Sequence, residues 1–205
     1  MLLSIATFST LFLWVLFFSR DFYYSPYKAA YITALAAIPG LFWMLYLFEI
    51  PLALGTLPLS IATIIFLASL TVTTACDLTE MLVPRYCSIW LAPFFIIFSY
   101  LEILPINLFE SLLGALLGYF LPWFISWVFG KITNRRGIGE GDMELMAMIG
   151  AFLGPQKALI SLNIGAISGL IFGFLYLRFV KKNLASKLPF APALSLGALL
   201  SLFLV

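Results

Sequence analysis

Histidine is absent from this 205-residue chain, and charged residues make up only 10% of it. Without histidine there is no imidazole general base, no triad built on one, and no histidine metal site. Cys76 and Cys87 are too few for a four-thiolate zinc site, and both fall near the ends of apolar runs, where packing is the simpler role. The net charge of +2 and the lack of a basic patch with interleaved aromatics argue against nucleic acid. No internal repeat, low-complexity linker or soluble domain interrupts the chain. Neither a metal nor a cofactor is expected.

What is present is apolar. The sequence is 63% hydrophobic, with a mean hydropathy of +1.12. A soluble domain of this length cannot hide that much apolar surface, so the solvent is lipid. Leu2–Phe18 has no basic region before it and no small-residue cleavage site after it, and reads as a retained helix. Spanning helices are expected near 2–18, 29–48, 56–76, 86–104, 108–130, 158–180 and 189–205. A shorter apolar segment follows Asp142 and stops at Gly154-Pro155. Counting it gives an all-α bundle of about eight spans. Residues 1–55 form an N-terminal pair with a short loop, and 56–205 form the core.

Charge placement supports that count. With eight alternating spans, Arg20, Lys28, Arg85, Lys131, Arg135, Arg136, Arg178, Lys181, Lys182 and Lys187 share one side, and only Lys157 takes the other. Basic residues collect on the cytoplasmic face of membrane proteins. Both termini then face outward, and Asp77 and Asp142 share the cytoplasmic side. Gly165, Gly169 and Gly173, like Gly114 and Gly118, recur every fourth residue and give smooth faces for helix packing. Trp43, Trp90, Trp123 and Trp127 suit interfacial or packing positions.

Asp21, Glu49, Glu102 and Glu110 flank spans and read as solvated loop charges. Two acids differ. Asp77 directly follows the apolar run ending Thr73-Thr74-Ala75-Cys76, and Asp142 follows Gly137-Ile138-Gly139-Glu140-Gly141 and opens another apolar run. For Asp142 alone, helix capping is a sufficient explanation, because a carboxylate in the first turn satisfies free N–H groups and the dipole. The pair says more. Two carboxylates within a few ångströms share a proton, so one activates a water while the other polarises a peptide carbonyl. That chemistry needs neither histidine nor metal. Gly139 and Gly141 lack a Cβ and can take positive φ, so their loop can present its backbone to an extended substrate; a plain flexible turn is the bland alternative.

These residues resemble the type IV prepilin peptidases, membrane aspartyl proteases of the GxGD type. Asp77-Leu78-Thr79-Glu80-Met81-Leu82-Val83-Pro84 is similar to the family's first catalytic segment, and Gly139-Glu140-Gly141-Asp142 matches GxGD. Leu145 through Gly154 continues with its small-and-apolar helix. Leu188-Pro189-Phe190-Ala191-Pro192, followed by Leu196-Gly197-Ala198, resembles its closing segment. The resemblance implies that Asp77 and Asp142 are catalytic. It also implies prepilin or pseudopilin substrates, whose short basic leader is removed on the cytoplasmic side of the bacterial inner membrane. Arg135 and Arg136 would meet the acidic residue just after the cleaved bond, although topology anchoring is the simpler reading of them.

Four departures stand out. Only Arg20 to Lys28 separates the first two spans and there is no CxxC, so the peptidase is expected without the N-methyltransferase insert. Glu144 stands where the family often has Lys, Arg85 where it often has Asp or Asn, and Ala191 where Gly is common. The second and third reverse charge in opposite directions, which suggests an Arg85–Glu144 bridge of swapped polarity. A proton-coupled or small-solute transporter is the competing function, since membrane acids often line ion pathways. A silent pilus or secretion assembly factor is a third.

Overall fold

The computed structural model describes residues 57–133, 137–180 and 189–204, and all regular structure among them is helical. The expected spans at 2–18 and 29–48, the division at residue 55, and Arg135 and Arg136 lie outside the described residues. Five α-helices follow one another: α1 (Leu57–Glu80), α2 (Ala92–Tyr100), α3 (Leu108–Thr133), α4 (Glu140–Val180) and α5 (Ala191–Phe203).

Helix α1 has 24 residues, about 36 Å at the usual rise, enough to cross a hydrocarbon layer about 30 Å thick. It ends at Met81, whose positive φ of 54° and N–H donated to the Asp77 carbonyl at 3.0 Å make a left-handed cap. Pro84 then lacks an N–H with which to resume a helix. A short 3₁₀ turn, Arg85–Cys87, and the nine-residue α2 follow.

The single long helix expected over 86–104 is therefore not formed. Pro93 sits in the first turn of α2, where its missing N–H is harmless, but it cannot extend a helix arriving from Arg85. Glu102, with φ 56°, ends α2 almost as soon as it has begun.

Helix α4 changes direction at Gly154, which has φ 80° and ψ 174°. Contacts on its two arms fix the change as a reversal. Phe152 stacks on Phe66 at 4.1 Å and Met148 Sδ accepts from the Ser69 hydroxyl at 3.3 Å, so the first arm, 140–153, runs antiparallel to α1. In α5, Ser195 meets Thr74 and Ala191 meets Asp77, so α5 is also antiparallel to α1. The second arm pairs Ser161 with Gly197, Gly165 with Leu194 and Gly169 with Phe190, antiparallel to α5. The two arms must then oppose each other. The segment after Asp142 is thus a short helix of its own, returning where Gly154-Pro155 was expected to stop it. Ile61–Leu78, Leu108–Thr133 and Glu140–Ile171 are the described stretches apolar and long enough to enter a membrane.

Small residues set the closest approaches. Gly114 and Gly118 lie against the backbone of Gly150 and Met146, so a Cβ at either glycine would overlap a main-chain carbonyl. Ser111 adds a hydroxyl donated to the Ala151 carbonyl at 2.7 Å. Phe66, Phe95 and Phe152 close the core at the Gly154 end, with Phe95 edge-on to both partners. The outer face of α3, including Phe109, Phe120, Trp123 and Phe124, stays exposed, as a lipid-facing surface would.

Candidate active site

The site is assembled at the opposite end of the core, where α1 finishes and both α4 and α5 begin. Asp77 lies one turn before the end of α1 and is buried. Its carboxylate serves another helix. The Ala191 N–H donates to Asp77 Oδ2 at 2.8 Å, and the Phe190 backbone lies beside the same carboxylate. The reason is legible in Phe190-Ala191-Pro192. Phe190 stands at the N-cap without a side-chain acceptor, so the free donors of the first turn need an oxygen from elsewhere.

Asp142 occupies the third position of α4. The Gly139 backbone lies beside its carboxylate, while the Gly139 carbonyl accepts from the Met143 N–H at 3.4 Å. Asp142 thus stands at the position of the returning side chain in a capping box. The capping explanation is therefore correct as far as it goes. Yet Asp142 is not an isolated cap, because the Asp77 carboxylate lies within electrostatic range of it. Each aspartate sits at the positive end of a helix, Asp142 on its own and Asp77 on α5.

Two contacts hold the aspartate-bearing segments together. Val83, in the loop after α1, fills the space beside Gly141, where a Cβ would lie 2.7 Å from Val83 Cβ. Arg85 Nε meets Glu144 Oε1 at 3.1 Å, so the pair suggested by the reversed charges is formed. Glu144 Oε2 is buried and has no hydrogen-bond partner. On the other side, the Ile138 N–H donates to Ser126 Oγ at 3.1 Å, tying the glycine loop to α3.

Neither Gly139 nor Gly141 uses the positive φ open to it, since Gly154 is the one positive-φ glycine among the described residues. Their use is spatial. Gly141 makes room for Val83, and a Cβ on Gly139 would sit 3.0 Å from Asp142 Oδ2. Sequence reasoning also missed Ala191, whose contribution is a backbone N–H. The signal was a helix start with proline in its first turn and no capping side chain. Cys76 and Cys87 are buried among the packed helices, as expected.

The chain has relatives among known proteins. The sequence pattern described as the type IV leader peptidase family matches residues 64–174, a stretch that includes both aspartates. A prepilin leader peptidase/N-methyltransferase of Pectobacterium carotovorum subsp. carotovorum is 29% identical over 141 residues, 69% of this chain and 50% of that protein. One of Stutzerimonas stutzeri is 28% identical over 96 residues, covering 47% and 33% of the two chains. One of Legionella pneumophila is 38% identical over 66 residues, covering 32% and 23%. These alignments span half or less of the relatives' own length. No solved structure matches. With the family pattern covering more than half of its residues, the chain belongs to the type IV leader peptidase family.

Proposed function

We propose that this protein is an aspartic endopeptidase that removes the leader of prepilin-like or pseudopilin-like proteins at the cytoplasmic side of the inner membrane. The observation that carries this reading is the meeting of Asp77 and Asp142 within electrostatic range. Asp77 is held by a backbone donor at the start of α5, and Asp142 stands in the first turn of α4. One carboxylate takes a proton from water as the oxygen attacks the peptide carbonyl, and the other, protonated, hydrogen-bonds the carbonyl oxygen. Collapse of the tetrahedral species breaks the C–N bond, and the departing nitrogen receives a proton. Water is the only co-reactant.

The substrate's hydrophobic helix stays in the bilayer while its leader junction reaches the acids. Gly139 and Gly141 border the place where its backbone would lie, and Arg135 and Arg136 would meet an acidic residue just beyond the cleaved bond. The methyl-transfer activity in the relatives' names is not carried over, because the sequence contains no CxxC motif.

The test is cleavage of a prepilin-like substrate by purified protein in detergent or lipid, comparing wild type with Asp77→Asn and Asp142→Asn. Each variant should lose at least about a hundred-fold in rate. Cleavage persisting in either one would refute the dyad. A wild-type protein inert toward every prepilin-like substrate offered would favour transport or assembly.

A further inference from the structure

We propose that Thr74 and Ser195 form a latch between α1 and α5 that positions Asp77; the catalytic half of this inference rests on the peptidase reading above. Most hydroxyls along α1 bond back to their own helix. Thr63 donates to the Leu59 carbonyl, Thr71 to Ala68 and Thr73 to Ser69. Thr74 instead reaches across, donating to Ser195 Oγ at 3.0 Å. The Ser195 hydroxyl passes the chain on to the Leu70 carbonyl at 3.4 Å, so a buried serine is satisfied on both sides by α1.

The placement of this pair gives it a task. Thr74 lies three residues before Asp77, nearly one turn down α1 on the same face. Ser195 lies four residues after Ala191, one turn into α5. The Asp77–Ala191 hydrogen bond and the Thr74–Ser195 hydrogen bond are therefore two successive rungs between antiparallel helices. The second arm of α4 packs along α5, and against α1 a single rung would set only one point of its register. Two rungs set its height and rotation at α1, and so fix which oxygen of Asp77 receives the Ala191 N–H and where the other oxygen points. Small neighbours let the helices approach closely enough for such short side chains to meet, since Ala191, Ala198 and Ser201 of α5 are also buried.

Thr74 and Ser195 are positioning residues. Neither is placed to touch substrate, and their effect runs through Asp77. The informative variants are Thr74→Val, which keeps the shape and removes the hydroxyl, and Thr74→Ser, which keeps the hydroxyl and removes a methyl. Amide hydrogen exchange at Ala191, followed by NMR in detergent micelles, reads the latch without reference to catalysis. Protection there should fall about ten-fold in Thr74→Val and stay at the wild-type level in Thr74→Ser. In the cleavage assay, kcat should fall about ten-fold or more in Thr74→Val with KM unchanged, and Thr74→Ser should keep most of it.

Unchanged Ala191 protection in Thr74→Val would overturn the latch. So would equal losses in the valine and serine variants, which would indicate packing rather than hydrogen bonding. Lost protection with an unaltered kcat would overturn its bearing on catalysis. If the wild-type protein cleaves nothing, the peptidase reading fails, while exchange at Ala191 still decides whether the latch exists.

Discussion

Asp77 accepts a hydrogen bond from the backbone of Ala191, 114 positions further along the chain. One carboxylate thus serves as the cap of a helix and as a member of an acid pair. The two tasks can be separated by substitution. Asn is as good a helix cap as Asp, whereas Ala has no acceptor. Asp77→Asn should therefore keep the thermal stability of the wild type and lose cleavage, while Asp77→Ala loses cleavage and about 1 kcal/mol of stability. Thermal unfolding in one detergent, run beside the cleavage assay, checks both.

The Arg85–Glu144 bridge predicts a charge-swap rescue. Arg85 is 67% exposed and Glu144 only 12%, so loss of the arginine would leave a mostly buried carboxylate without its counter-charge. The bridge acts locally, joining the loop after Asp77 to the first turns of α4. Arg85→Glu and Glu144→Lys should each reduce cleavage, and the double variant should recover part of it. A double variant no better than either single one would show that the bridge is incidental.

Gly141 and Val83 should behave as a steric pair. Adding a methyl group at Gly141 forces it against Val83, and overpacking of this kind costs about 1–3 kcal/mol. Gly141→Ala should lower both activity and melting temperature. Adding Val83→Ala to it should restore both in part. Failure of this compensation would mean that the glycine is needed for something other than space, such as approach of the substrate backbone.

Gly154 should tolerate no side chain. At φ 80° and ψ 174° it occupies a region that is essentially glycine's own, and forcing an L-residue there costs about 1–3 kcal/mol. The nearest foreign atom to a Cβ there is Ile106 Cγ2 at 3.6 Å, so crowding is not the cause. Gly154→Ala should lower the melting temperature, and trimming Ile106 should not repair it. Repair by Ile106→Ala would contradict the backbone explanation.

Much of the candidate site was legible because charge is costly in so apolar a sequence. Asp77 and Asp142 stood out as acids that a loop or a surface did not explain, and the paired charge reversals at Arg85 and Glu144 pointed to a contact the structure contains. Gly154-Pro155 marked the turn between the arms of α4. Two features were hidden. Hydropathy alone could not show that 86–104 is a 3₁₀ turn and a nine-residue helix, since an apolar run looks the same whether its backbone is continuous or broken. The donor to Asp77 comes from main chain, which leaves no mark in the side-chain sequence. Only the uncapped helix start at Phe190 hinted that an oxygen had to arrive from elsewhere.

The dependence of Asp77 on α5 also orders events during synthesis. Membrane helices enter as they leave the ribosome, so Asp77 and then Asp142 reach the bilayer while the residue that anchors Asp77 has yet to be translated. Until Ala191 follows, the nascent protein holds both acids but lacks the donor that fixes one of them. A ribosome stalled between the two would leave a chain whose Asp77 has no partner on α5. Asp77 gains its fixed partner only when α5 is in place.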